Sequence, residues 1–203
     1  MTRVAQPTPS ASSDLDEVTL LRACRGDQGA QRDLILRYKD KVHGFIGRML
    51  IGHRHVSLCE DITHDTFVRV LRALPRFDPA GPAKLSTWIL TVASRLCIDE
   101  LRQRDIPFDA AALLEGDATR AGPPTPLEQA ERRRIAIAIE RAIGDLSPPY
   151  RAAFLLREAD GLGYDEIARA LDIEVGSVRS RLARARAQLQ EALADLRPEG
   201  HSP

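Results

Sequence analysis

Apolar residues recur every three to four positions along this chain, and nowhere do they alternate with polar ones as in a half-buried strand. Leu15, Val18, Leu20 and Leu21 open the pattern after Asp14. Leu34, Ile35 and Tyr38 continue it, followed by Val42, Phe45, Ile46, Met49 and Leu50. Gly26-Asp27 supplies a turn between the first two helices. The period is lost between Pro107 and Pro126, where Gly116, Gly122, Pro123, Pro124 and Pro126 collect, and it resumes with Ile135, Ile139, Ile143 and Leu146. Ser147 then fits an N-cap and Pro148 the first residue of a helix running to about Ala159. The expected fold class is all-α: two small helical domains joined by a flexible linker, the second with a helix-turn-helix. The expected boundaries are a disordered tail 1–13 rich in Pro, Ser and Thr, a first domain 14–105, a linker 106–126, a second domain 127–197 and a tail 198–203.

The segment Tyr164–Arg186, YDEIARALDIEVGSVRSRLARAR, carries the helix-turn-helix. Gly163 precedes a short amphipathic run with Ile167, Ala168 and Leu171 on one face, and Asp172-Ile173-Glu174 is the turn before a second helix opening near Val175. At about 100° per residue, Val178, Leu182, Ala185 and Leu189 share an inward stripe. Arg179, Ser180, Ala183 and Arg184 therefore face outward. Arg179, Arg181, Arg184 and Arg186 place four positive charges between Val175 and Gln190 with no acid among them, which suits a helix lying in a major groove between phosphate rails. A solvated basic face is the plainer alternative, but the turn, the apolar stripe and the basic face coincide at helix-turn-helix spacing.

Composition constrains the picture further. A length of 203 residues, 43% hydrophobic and 29% charged, accommodates one large domain or two small ones at roughly 100–200 residues per domain. The formal net charge is zero, so a DNA-binding charge must be local and balanced by acids elsewhere, in a position to face a protein partner. The N-terminus MTRVAQPTPSASS lacks the apolar core of a signal peptide, and no run of about 18 apolar residues exists, so no membrane insertion and a cytoplasmic location are expected. Cys24, Cys59 and Cys97 form no CxxC pair and suit small buried side chains in a reducing compartment. His53, His55, Cys59 and His64 are metal-ligating types, but their spacing matches no common zinc pattern, and no metal or other cofactor is expected. No Gly-rich phosphate loop or nucleophile elbow stands out, so no enzyme activity is expected.

The first domain holds a second informative helix, Glu60–Leu74. Thr63, Phe67, Val70, Leu71 and Leu74 fall on a core face, and Asp61, Asp65, Val68 and Arg72 on the other. A mixed acidic and apolar outer face suits a partner. A solvated helix with an i, i+4 Asp65–Arg69 pair is the alternative. In the next helix Ile89, Ala93, Leu96 and Cys97 form the buried side and Thr91, Arg95 and Arg102 an exposed stripe fit for phosphate or bases. Trp88 continues the apolar face with Val92, which favours core support over base stacking.

Three stretches in order, EDITHDTFVRVLRALPRFDP, LSTWILTVASRLCIDELRQR and LSPPYRAAFLLREADGLGYDEIARALDIEVGSVRSRLARARAQL, resemble bacterial sigma factors of the extracytoplasmic-function (ECF) group of the sigma-70 family. The resemblance implies a sigma-two domain that binds core RNA polymerase and melts the minus-ten element, and a sigma-four domain that reads the minus-thirty-five element. It implies docking of Asp61, Asp65 and Arg69 on the β′ coiled coil, contact with the β flap, capture of promoter DNA by the loop Asp78–Leu85 and the helix after it, and an anti-sigma partner. Two departures stand out: His64-Asp65 replaces a common Gln-Glu, and Arg95 stands where many members carry Asn against the captured base. A stand-alone helix-turn-helix regulator would leave Glu60–Arg104 unexplained, and a polymerase-sequestering protein would leave the arginines unexplained. The chain ends at Pro203 soon after the helix-turn-helix, so no additional C-terminal sensory domain is expected.

Overall fold

The computed structural model describes residues 15–52, 56–104 and 126–196. The expected tails 1–13 and 198–203, the linker 106–126 apart from Pro126, and His53 and His55 lie outside the described residues. Every regular element among the described residues is helical. They are α1 (Glu17–Cys24), α2 (Gln28–Met49), α3 (Val56–Ala73), α4 (Leu85–Arg104), α5 (Pro126–Asp145), α6 (Pro148–Glu158), α7 (Tyr164–Leu171) and α8 (Val175–Ala192). Short 3-10 turns follow α3 and α8. No described helix is long and apolar enough to cross a membrane.

Local chemistry sets the helix ends. The Asp16 carboxylate accepts the Thr19 N–H at 2.9 Å to start α1, and the Asp27 carboxylate accepts the Ala30 N–H at 2.8 Å to start α2. Hydrogen bonding to these caps holds both carboxyls below their ordinary range. Gly26, at φ +88°, makes the reversal between the two helices, a backbone conformation that glycine adopts without strain. Pro148 opens α6 where its missing N–H costs nothing, although the Ser147 side chain makes no capping bond.

The first block packs α1, α3 and α4 around α2. Leu34, Tyr38, Val42, Phe45, Ile46 and Met49 of α2 meet Ile62, Phe67 and Val70 of α3 and Ile89, Leu90, Ala93 and Cys97 of α4. Val18 and Leu21 belong to the helical period of α1 but point to solvent, 67% and 39% exposed. In the second block α6 and α7 pack on α8, while Ala142 of α5 and Leu146 just after it close over Ala185 and Leu189.

The two blocks do not stand apart. Helices α6 and α7 lie against α2 and α4, and one apolar cluster runs from Phe45 and Ile89 through Ala152, Leu156 and Ile167 to Val178 and Leu182. At this junction sits Arg151, 1% exposed. Its guanidinium donates to the carbonyls of Met49 and, at 3.4 Å, Ile51 at the end of α2, and to those of Gly144 and, at 3.1 Å, Leu146 at the end of α5. One side chain thus satisfies orphan carbonyls of two helix ends, one from each block. Burial pulls its pKa down to about 10, opposed by the nearby Asp145 carboxylate.

Because Leu182 is 1% exposed and joins α8 to this core, Leu182→Ala should destabilise the chain by about 2–5 kcal/mol in a urea titration. An unchanged midpoint would place that side chain outside the core.

Candidate nucleic-acid and partner interfaces

The helix-turn-helix is built from α7 and α8. The Gly163 N–H donates to the Glu166 carboxylate at 2.8 Å, which fixes the start of α7. Asp172 ends it in the left-handed region, φ +55°, a conformation open to short polar side chains, and thereby turns the chain sharply into α8. Val178, Leu182, Ala185 and Leu189 form the buried stripe of α8, as its period predicts. Arg179, Ser180, Ala183 and Arg184 are exposed and Arg181 is half-buried.

Two of the arginines are held in place by α6. The Arg184 Nη1 donates to the Tyr150 hydroxyl at 3.0 Å, and the Arg186 Nη2 donates to the Glu158 carboxylate at 2.7 Å. Both pairs lie at the surface, so they orient the guanidinium groups more than they stabilise the fold. Arg157 stacks over Tyr164, 5.2 Å from the ring centroid, and donates to the Leu162 carbonyl, tying the end of α6 to the start of α7.

Beside α8 an open apolar groove is lined by Ile135 and Ile139 of α5, Phe154 of α6, and Leu189, Leu193 and Leu196. Ile135 and Ile139, which continue the helical period of α5, are exposed into it rather than covered.

Helix α3 divides into two faces. Leu58, Ile62, Thr66, Phe67 and Val70 are buried, with Thr63 and Thr66 donating their hydroxyls to the carbonyls of Cys59 and Ile62, each at 2.7 Å. Asp61, His64, Asp65, Arg69 and Arg72 are exposed on the opposite side and Val68 is half-buried. The expected outer face is therefore assembled on one helix, with both acids and both arginines reaching solvent.

The loop before α4 is shaped by Asp78, whose carboxylate accepts the Ala80 N–H at 3.0 Å and whose carbonyl accepts the Gly81 N–H at 3.1 Å. A Cβ on Gly81 would meet that carbonyl oxygen at 3.0 Å, so the turn closes on a glycine. On α4, Trp88 packs against Phe77 with ring centroids 5.0 Å apart and joins the edge of the core, a supporting position. Arg95 and Arg102 are exposed. Thr91 corrects the expected exposed stripe: it is half-buried, and its hydroxyl turns back to donate to the Thr87 carbonyl at 2.9 Å. The Arg95 guanidinium lies 4.0 Å from the Asp172 carboxylate of the second block.

The histidine nearest a cysteine is one that spacing did not single out. The His43 ring on α2 is 3.6 Å from Cys59 Sγ and 3.4 Å from Thr63 Oγ1, while His64 is exposed. No group of three metal-ligating side chains occurs among the described residues. Cys59 and Cys97 are buried and Cys24 half-buried, and burial pushes all three thiols up. Sequence reasoning also missed Arg151. Its signal was available: it falls four residues before Leu155 on the buried face of α6, where a solvated arginine would not belong.

Comparison with known proteins gives two family matches, Sigma-70 region 2 over residues 34–106 and Sigma-70, region 4 over residues 136–189. The chain is 31% identical to the ECF RNA polymerase sigma factor SigE of Mycolicibacterium smegmatis, over 90% of this chain and 70% of that one. It is 34% identical to the ECF RNA polymerase sigma factor SigW of Bacillus subtilis, over 85% of this chain and 93% of that one. Among solved structures, the sigma factor RpoE of Bartonella quintana, in complex with the anti-sigma factor NepR, shares the fold with a TM-score of 0.57 at 20% identity, covering 82% of this chain and 98% of that one.

Proposed function

Since the chain belongs to the sigma-70 family and to its ECF group, we infer how its surfaces divide the work of a sigma factor that binds core RNA polymerase and directs promoter-specific transcription initiation. It catalyses no reaction itself and acts in the cytoplasm, where the polymerase supplies the chemistry. The observation that carries the reading is the outward array on α8, Arg179, Ser180, Ala183 and Arg184, set on a fully buried stripe after a sharp turn. That geometry presents a helix to a major groove, the docking mode of helix-turn-helix proteins.

In this reading α8 lies in the minus-thirty-five element. Arg179, Ser180 and Arg184 meet base edges or phosphates, and Arg181, Arg186 and Ala183 complete the surface. Arg184 and Arg186 exchange Tyr150 and Glu158 for phosphate on binding. The outer face of α3, with Asp61, Asp65, Val68, Arg69 and Arg72, docks on the β′ coiled coil. Arg95 and Arg102 of α4 hold melted minus-ten DNA with Thr91 beside them. The open apolar groove of Ile135, Ile139, Phe154 and Leu193 has the character to take the apolar face of an amphipathic helix, which fits the β flap. An anti-sigma protein, such as the NepR bound to the Bartonella relative, completes the partner set.

Promoter-specific transcription by core enzyme plus purified chain tests the whole reading; core enzyme that starts no more selectively with the chain than without it would overturn it. Asp61→Lys combined with Asp65→Lys should weaken core-enzyme affinity while leaving helical content unchanged, as followed by titration and circular dichroism. Unaltered affinity would remove α3 as the anchor. Arg179→Ala or Arg184→Ala should weaken binding of a minus-thirty-five duplex about tenfold with relaxed sequence preference if the contact is to a base, or lower the salt slope by about one if it is to a phosphate. Melting temperature should stay put. Parental affinity and salt dependence in both variants would show that α8 is not the reader.

A further inference from the structure

Of the four arginines on α8, Arg186 alone has an ion-pair partner among the described residues. Arg184 rests on a neutral hydroxyl, that of Tyr150, whereas Arg186 donates through one nitrogen to the Glu158 carboxylate at 2.7 Å, with the Tyr164 side chain also near enough to bear on it. Fold stability does not account for Glu158. It is the last residue of α6, where the helix dipole disfavours a carboxylate, and with both side chains 45% exposed the pair does little to hold the chain together. Its plain effect is to neutralise one cation on the helix assigned to DNA, by a bond that a better-placed anion can break.

We propose that Glu158 is a specificity-determining residue: it masks Arg186 from phosphates met out of register and yields it only to a phosphate held in place by a correctly seated recognition helix. The proposal rests on the assignment of α8 to the minus-thirty-five element. When base contacts seat α8, the phosphate opposite Arg186 is fixed in distance and angle, and a bidentate, charge-assisted contact outcompetes the single exposed bond to Glu158. On DNA of unrelated sequence the helix slides, and its phosphate contacts are loose and exchange with water. There Glu158 keeps the guanidinium. The mask therefore subtracts more from unregistered binding than from registered binding, which is discrimination obtained by weakening the wrong complex. Arg184 has no such filter, because a phosphate that takes it from Tyr150 displaces a neutral hydroxyl and meets no competing charge.

The test uses the full chain and two short fluorescein-labelled duplexes, one enriched from a random-sequence pool by the parent chain and the other with the same bases shuffled. Glu158→Gln keeps the size and an acceptor oxygen and removes the charge. Affinity for the shuffled duplex should rise about threefold, within what an exposed ion pair can hold back, and its salt slope should steepen by about one as one phosphate contact is gained. Affinity for the enriched duplex should stay near the parent's. A uniform effect of the added positive charge would raise both affinities together, so the ratio between the duplexes is the deciding readout. In an Arg186→Ala background Glu158→Gln should change neither affinity, since no guanidinium remains to unmask. Equal gains on both duplexes, parental affinity and slope on the shuffled one, or the same gain with Arg186 absent would each overturn the mask. Should the parent enrich no sequence, the minus-thirty-five assignment of α8 fails and takes the proposed discrimination with it. An enriched sequence whose preference Glu158→Gln leaves unchanged sinks the mask alone and leaves that assignment standing.

Discussion

A buried guanidinium held by backbone carbonyls, with no carboxylate bonded to it among the described residues, is an unusual foundation, and Arg151 has that position here. Withdrawing an ion from water costs several kcal/mol, and an isolated arginine could not meet that cost. The surroundings meet it with carbonyls: hydrogen bonds to a charged group contribute about 1.5–3 kcal/mol each, so three or four are commensurate with the penalty. They come from the C-termini of α2 and α5, where the helix dipoles present partial negative charge. The ends of both helices, the start of α6 and the seam between the blocks are therefore fixed by a single planar group. Its Nε remains without a hydrogen-bond partner in the buried junction, which leaves the balance narrow.

Electrostatics elsewhere follow from the same seam. The chain has equal numbers of acidic and basic residues, 29 of each, and the described contacts show where some of the acids go. Glu158 holds Arg186, Asp172 stands against Arg95, and Asp160 lies between Lys41 and Arg48. Desolvation pushes the Asp160 carboxyl up while those two cations pull it down. Neutrality is thus achieved locally, by carboxylates that occupy arginines in the absence of phosphate. Where Arg95 and Arg186 meet phosphate as proposed, Asp172 and Glu158 are the anions it displaces, which makes binding there an exchange of partners rather than a simple neutralisation.

Much of this was legible in the residues. The stripe Val178, Leu182, Ala185 and Leu189 needed only the helical period, and the turn at Asp172 needed only its chemistry. The two faces of α3 were separable for the same reason: on a helix with one partner, burial repeats with the geometry of the helix itself. What periodicity does not encode is contact between distant segments. Arg151 and Met49 are 102 residues apart, and no local pattern pairs them. Likewise Thr91 looked exposed from spacing because the bond its hydroxyl makes to Thr87 is a matter of rotamer, not of register. Val18 and Leu21 show the reverse limit, since they keep the period of α1 but find no layer to cover them.

The three thiols carry a consequence for the chemistry of the cell around this protein. Only a thiolate reacts readily with peroxides or disulfides. Cys97 is fully enclosed, Cys59 nearly so and Cys24 half so, and burial disfavours the ionised form of each. At neutral pH the sulfur atoms stay protonated and largely out of reach. The core therefore offers oxidants two enclosed, protonated thiols, with Cys24 the more accessible third.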